Sequence, residues 1–131
     1  MATNERLRRY LSDEMGSCRD DDLEQRVNEL EMLDEDVSAT LASDIELLSA
    51  LSNDTRYKIV RLLHAADSDL CVCEFAPLLD VSDSAISHAL SKLTDAGLIK
   101  RHKDGKWRKY ETTKRATALL VAIDGSRSVE Q

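Results

Sequence analysis

Apolar residues recur about every three to four positions along most of the chain, the spacing of helices that bury one face. Leu23, Val27, Leu30 and Leu33 or Val37 form one such stripe, and the carboxylates of Asp20, Asp21 and Asp22 ahead of it suit a helix N-terminus. A second stripe, Leu41, Ile45, Leu48 and Leu51, stops at Ser52-Asn53-Asp54, where Asn53 or Asp54 caps a third helix through Ile59, Leu62 and Leu63. Further on, Ser82 caps a helix with apolar positions at Ile86, Leu90 and Leu93, and Gly97 stands where that helix must stop. The pattern then changes to alternation on either side of Asp104-Gly105, a strong hairpin signal. A last helical stretch, Lys114 to Ile123, carries Ala116, Leu119, Leu120 and Ile123 and needs a partner surface, which a second subunit would supply.

A short helix, a tight turn at Asp80-Val81-Ser82, a second helix and a basic hairpin, in that order, predict a winged helix-turn-helix. The expected class is therefore mostly α with a small β-hairpin, an α+β arrangement. Residues 1–36 form an acidic N-terminal extension with a helix, 37–124 the winged helix-turn-helix domain for DNA binding and dimerisation, and 125–131 a C-terminal tail.

Charge qualifies this picture. The net charge of −7 taken alone argues against an anionic partner. Its distribution reverses that: residues 1–46 hold fourteen acids and five bases, whereas residues 82–115 hold four acids and nine bases, or −9 against +5. Asp (15) outnumbers Glu and Lys is scarce (7 against 11 Arg), a composition resembling that of proteins from salt-loving microbes. Three cysteines at uneven spacing argue against a disulfide scaffold, and residues 1–15 lack the apolar run of a secretory signal. No apolar stretch approaches the roughly 20 residues that span a membrane, so a cytoplasmic protein without membrane association is expected. No glycine-rich phosphate loop, HExxH or Gly-x-Ser-x-Gly elbow occurs, and an enzyme is not expected.

The chemistry of a DNA reader is present instead. A recognition helix enters a major groove about 12 Å wide, and its leading face needs small groups that donate and accept hydrogen bonds at base edges. Ser82, Ser84, Ser87 and His88 meet that need, while Lys92, Lys103, Lys106, Arg108 and Lys109 suit phosphates, which position without reading sequence. Serines alone are more often caps, and a charge run alone more often a solvated face; their adjacency to the Gly97 stop and the Asp104-Gly105 hairpin favours the DNA reading. Trp107 is expected as a packing anchor of the hairpin rather than a base-stacking group.

LSNDTRYKIVRLL, DLCVCEF, VSDSAISHALSKLTDAGLI and KDGKWRKYE, in this order over about residues 41–123, resemble the ArsR/SmtB family of metal-responsive repressors. The resemblance implies a homodimer built on the first core helix and the last, binding to double-stranded operator DNA when metal-free, and release by an inducer. It implies no permanent cofactor. Cys-Val-Cys at the start of the first helix of the reading pair is the family's thiolate site for arsenite or antimonite, and in other branches for cadmium or lead. Cys71 and Cys73 match it, and Ala76 stands where the arsenite type often adds a third cysteine. Cys18 is then the expected third ligand, because some relatives supply one from an N-terminal arm of the other subunit. The family's second site, on the last helix, uses Asp and His for zinc, and Thr113 to Asp124 contains no histidine.

Thiolates select soft ions. Asp69 and Glu74 are read as bystanders. Positions i and i+2 lie about 200° apart around an α-helix but on one side of an extended strand, so one ion bridges both sulfurs only where the helix is unwound. Pro77 has no N–H for the carbonyl of Cys73, which weakens the first turn. The expected mechanism is therefore that the inducer locks Cys71 to Cys73 in an unwound form, tilts the helix on Phe75, Leu78 and Leu79, and misplaces the recognition helix. The alternatives are two small buried apolar residues, or a thiol redox-responsive or metal-independent regulator in which Cys18 would be the better disulfide partner.

Overall fold

A computed structural model describes residues 2–129; the first residue of the expected extension and the last two of the expected tail lie outside the described residues. Five helices and three short strands follow one another as α1 (Ala2–Met15), α2 (Asp20–Leu51), α3 (Asp54–Ala66), β1 (Leu70–Cys71), α4 (Asp83–Asp95), β2 (Ile99–Asp104), β3 (Trp107–Thr112) and α5 (Lys114–Arg127). They sort into two compact units, one up to Ser43 and one from Asp44 onward.

In the first unit, α1 stops at Gly16, and the guanidinium of Arg8 pairs with Asp20 at 2.8 Å. Arg19 N–H donates to Asp22 Oδ2 at 3.1 Å, so the acidic run satisfies an exposed donor at the start of α2. The two stripes expected as separate helices belong to one 32-residue helix. No glycine or proline falls between Asp20 and Leu51, and Ser43 returns its hydroxyl to the carbonyl of Thr40 at 3.0 Å, so nothing stops the helix there.

In the second unit, Asn53 caps α3 by accepting from Arg56 N–H, while the Arg56 guanidinium donates to the terminal carbonyls of α2, Ala50 (2.7 Å) and Ser49 (3.1 Å). One core holds the unit together: Ile59, Val60 and Leu63 of α3 meet Phe75, Ile86, Leu90 and Leu93, with Leu98, Ile99, Ala116 and Leu120 beneath. Gly97 follows α4 with φ +74, a backbone only glycine adopts freely, and the chain turns directly into β2. The expected hairpin is present, with Gly105 at φ +65 between β2 and β3. A third strand joins it: β1 pairs antiparallel with β3, Leu70 opposite Tyr110 and Cys71 opposite Lys109, giving the order β1-β3-β2. No helix is long and apolar enough to cross a membrane among the described residues.

Asp124 ties α5 to α3. Its carboxylate accepts both Arg61 terminal nitrogens (2.8 and 3.1 Å), and Arg127 approaches from its own helix. These guanidinium bonds, Arg61 first, lower its pKa from the ordinary 3.8 to about 2. A depressed carboxyl pKa contributes stability in full above its unfolded value, lost as pH falls through the folded one. Asp124→Asn is therefore expected to flatten the pH dependence of the urea midpoint between about 4 and about 2, relative to the unmodified protein.

Candidate nucleic-acid interface and thiol pair

The segment that should open the reading pair as a helix is not an α-helix. Cys71 ends β1 in an extended conformation (φ −71, ψ 147), and Val72–Glu74 make a single 3-10 turn. Leu78 and Leu79 N–H both donate to Phe75 O at 3.0 Å, continuing as turns rather than as a regular helix. Two features explain the departure: β1 is drawn into the sheet by β3, and Pro77 lacks the N–H that an α-helix would direct to Cys73.

The consequence for the thiols is direct. Because Cys71 is extended, both sulfurs already lie on one side, 2.7 Å apart, and no helical turn has to open to bring them together. Cys71 Sγ accepts from Cys73 N–H at 3.4 Å, and Glu74 Oε1 accepts from Cys71 N–H at 2.7 Å, so the pair is also the cap of its own turn. Cys71 is buried and Cys73 exposed. The bond to Cys71, then burial and the charges of Cys71 and Glu74, push the Cys73 thiol above its ordinary value. Asp69 and Glu74, read from sequence as bystanders, have structural work: Asp69 pairs with His102 at 2.8 Å, and Glu74 closes the cap. Cys18 belongs to the first unit, in the connection between α1 and α2. Among the described residues, no three His, Cys, Asp or Glu side chains gather as one metal site.

Behind this turn, Phe75 and Leu79 are buried, whereas Leu78 is half exposed. The chain then passes to Ser82, whose hydroxyl accepts from Ala85 N–H at 3.1 Å and so caps α4. Ile86, Ala89, Leu90 and Leu93 face the core, which leaves Ser84, Ser87, His88 and Lys92 on the exposed side. A groove of about 400 Å³ runs past His88 and Lys92 to Asn53 and Arg56, and another of about 360 Å³ joins Cys73 to Ser87.

In the hairpin, Lys103 stands opposite Arg108, and Lys106 occupies the turn with its ammonium 5.1 Å from the Trp107 ring centroid. Trp107, expected as a packing anchor of the hairpin, is 49% exposed and lies outside the buried core, with the Lys106 ammonium over its ring. Lys109 is engaged by Asp104 at 3.0 Å, which raises its pKa and lowers that of Asp104. Sequence reasoning missed Arg101, which with Arg108, Ser87, Ser91 and Thr94 lines a groove between α4 and the hairpin. Strand alternation, which sets Arg101 on the face of Lys103, was the signal that could have found it.

The family model described as bacterial regulatory protein, arsR family, matches residues 53–101. Two proteins of Halobacterium salinarum designated arsenical resistance operon repressors are similar to the chain. One, ArsR, is 62% identical over 128 residues, covering 97% of this chain and 99% of its own. The other, ArsR2, is 46% identical over 90 residues, covering 69% and 76%. Among solved structures, reduced HlyU of Vibrio cholerae aligns with a TM-score of 0.62 at 25% identity over 72% of this chain and 99% of that one.

Proposed function

Because the chain belongs to the arsR family of bacterial regulatory proteins, a family of DNA-binding winged-helix regulators and not of enzymes, we propose that it represses a metal or metalloid resistance operon and leaves its operator when a soft ion binds Cys71 and Cys73. The observation that carries this reading is the pair of sulfurs 2.7 Å apart at the junction of β1 and the turn leading to α4. Soft thiolate donors suit arsenite and antimonite first, in keeping with the names of the Halobacterium relatives, and cadmium or lead second. A third thiolate would come from Cys18 on the N-terminal arm of the other subunit, as the family resemblance implies.

The ion acts as a signal rather than as a resident cofactor. Held by both thiolates, it fixes the spacing of two sulfurs that also cap the 3-10 turn. Phe75 and Leu79, buried on the way from that turn to Ser82, transmit the change to α4. Val72, between the two cysteines, lines the groove that α4 shares with the hairpin, so the wing feels the same event. Re-spacing of a turn thus takes the place of unwinding a helix. Coupling of about 1 to 3 kcal/mol, the usual allosteric range, weakens DNA binding roughly 5-fold to 150-fold.

Operator contact on this reading uses Ser84, Ser87 and His88 for base edges, with Lys92, Lys103, Lys106 and Arg108 for phosphates; Ser82 contributes chiefly as the cap. A homodimer is supported by apolar side chains left exposed at Ile45 and Leu48 of α2 and Val121 of α5 (57%, 55% and 57%). Such a dimer reads half-sites about one DNA turn apart, inside the cell. Anisotropy of a labelled duplex from the promoter of the operon that carries the gene tests the proposal. Tight binding by the reduced protein and release on adding arsenite are expected. Failure to bind that duplex at any salt concentration, or binding that arsenite, antimonite, cadmium and lead all leave unchanged, would overturn it.

A further inference from the structure

The two faces of the hairpin are sorted by charge. Strand alternation and the pairing of Arg101 with Tyr110 and of Lys103 with Arg108 put Arg101, Lys103 and Arg108 on the face of the buried Tyr110. On the opposite face every base has an acid. Lys100 pairs with Glu111 at 3.2 Å, His102 with Asp69 at 2.8 Å and Lys109 with Asp104 at 3.0 Å. Among the described residues none of Arg101, Lys103 and Arg108 is in an ion pair, although Asp95 stands at the rim of their groove. A cationic face left unneutralised beside the reading helix is open to use on an anion, whose local concentration it raises.

That use follows from the groove. Arg101 and Arg108 form one wall of a space of about 290 Å³ and Ser87, Ser91 and Thr94 of α4 the other. Two guanidinium groups, which fork onto phosphate oxygens, face the hydroxyls of Ser87 and Ser91, which donate to the same oxygens, while the Thr94 hydroxyl is committed to the Leu90 carbonyl at 2.7 Å. We propose that this groove is a seat for one phosphate of the operator backbone, gripped between Arg101 and Arg108 of the wing and Ser91 of the reading helix. It rests on the DNA-binding reading above and adds to it the group that fixes the depth and register of α4. The outer face of the wing, with Lys100 and Lys109, makes no phosphate contact.

The salt dependence of binding tests the seat, since each phosphate contact adds about 0.9 to the slope of log K against log salt. Arg101→Gln and Arg108→Gln, each checked for unchanged circular dichroism and arsenite uptake, are expected to lower the slope of the dimer by roughly 2, one contact per subunit. Both should weaken operator and random duplex by the same factor, because a phosphate carries no sequence. Lys100→Gln on the paired face is expected to keep the wild-type slope. Wild-type slopes in both arginine variants, or an equal fall in Lys100→Gln, would overturn the seat while leaving the repressor reading intact. Inorganic phosphate that displaces DNA from the wild type more than chloride does at equal ionic strength, with both arginine slopes unchanged, would assign the groove to a free anion and overturn the backbone seat. A wild type that fails to bind DNA would remove the repressor reading and the seat together.

Discussion

Replacing Cys71 and Cys73 together by serine is expected to leave operator affinity within a few-fold of wild type and to abolish release by arsenite. The two halves of this result have separate causes. Serine keeps the local structure, because a hydroxyl at position 71 accepts from residue 73 N–H as the sulfur does, and serine is among the preferred capping residues. The soft ion loses both thiolates, and with them the whole coupling of roughly 5-fold to 150-fold. Anisotropy titrations with and without arsenite give both quantities from one sample. A double variant still released by arsenite would mean that the inducer enters elsewhere. Peroxide in place of arsenite serves as the companion arm: release of wild type by oxidant alone would favour redox sensing.

The largest loss of stability is expected from Phe75→Ala. Phe75 is fully buried, and it stands where the thiol turn is pinned to the core formed by α3 and α4. Truncating a fully buried phenylalanine costs about 3–5 kcal/mol in transfer and cavity terms. The neighbouring Leu78 is 48% exposed, and Leu78→Ala should change stability by about 1 kcal/mol or less. Urea unfolding of the two variants measures the contrast. Equal losses would mean that the turn is not anchored through Phe75, and the route from the sulfurs to α4 would lose its first link.

Where a single periodic stripe meets an unambiguous cap, the sequence was enough to place an element. Ser82, the Ile86-Leu90-Leu93 stripe and Gly97 define α4 as found, and Asp104-Gly105 turns the hairpin where expected. The joining of two stripes into α2 is not marked by either stripe, because continuity is decided by what is missing, a glycine or proline, rather than by the residues that mark each stripe. α1 carries only a weak stripe, since its apolar residues, such as Leu7 and Leu11, are spread among arginines.

The thiol site was legible in residue identity and illegible in conformation. β1 is two residues long and exists only because Leu70 and Cys71 meet Tyr110 and Lys109, a pairing almost forty positions away that no local pattern announces. That remote contact makes Cys71 extended and brings its sulfur beside that of Cys73. Charge along the sequence likewise marked the wing as basic. It did not reveal that Lys100, His102 and Lys109 are spoken for by acids, since two of those partners lie on the facing strand or at the hairpin end and the third, Asp69, precedes β1.

X-ray absorption at the arsenic edge of the arsenite-loaded, reduced protein examines the sulfur pair itself. Arsenic ringed by at least two sulfur neighbours, with that shell lost in Cys71→Ser and in Cys73→Ser, is the spectrum the proposed site predicts. A shell of oxygen alone, or sulfur neighbours that survive both substitutions, would contradict it.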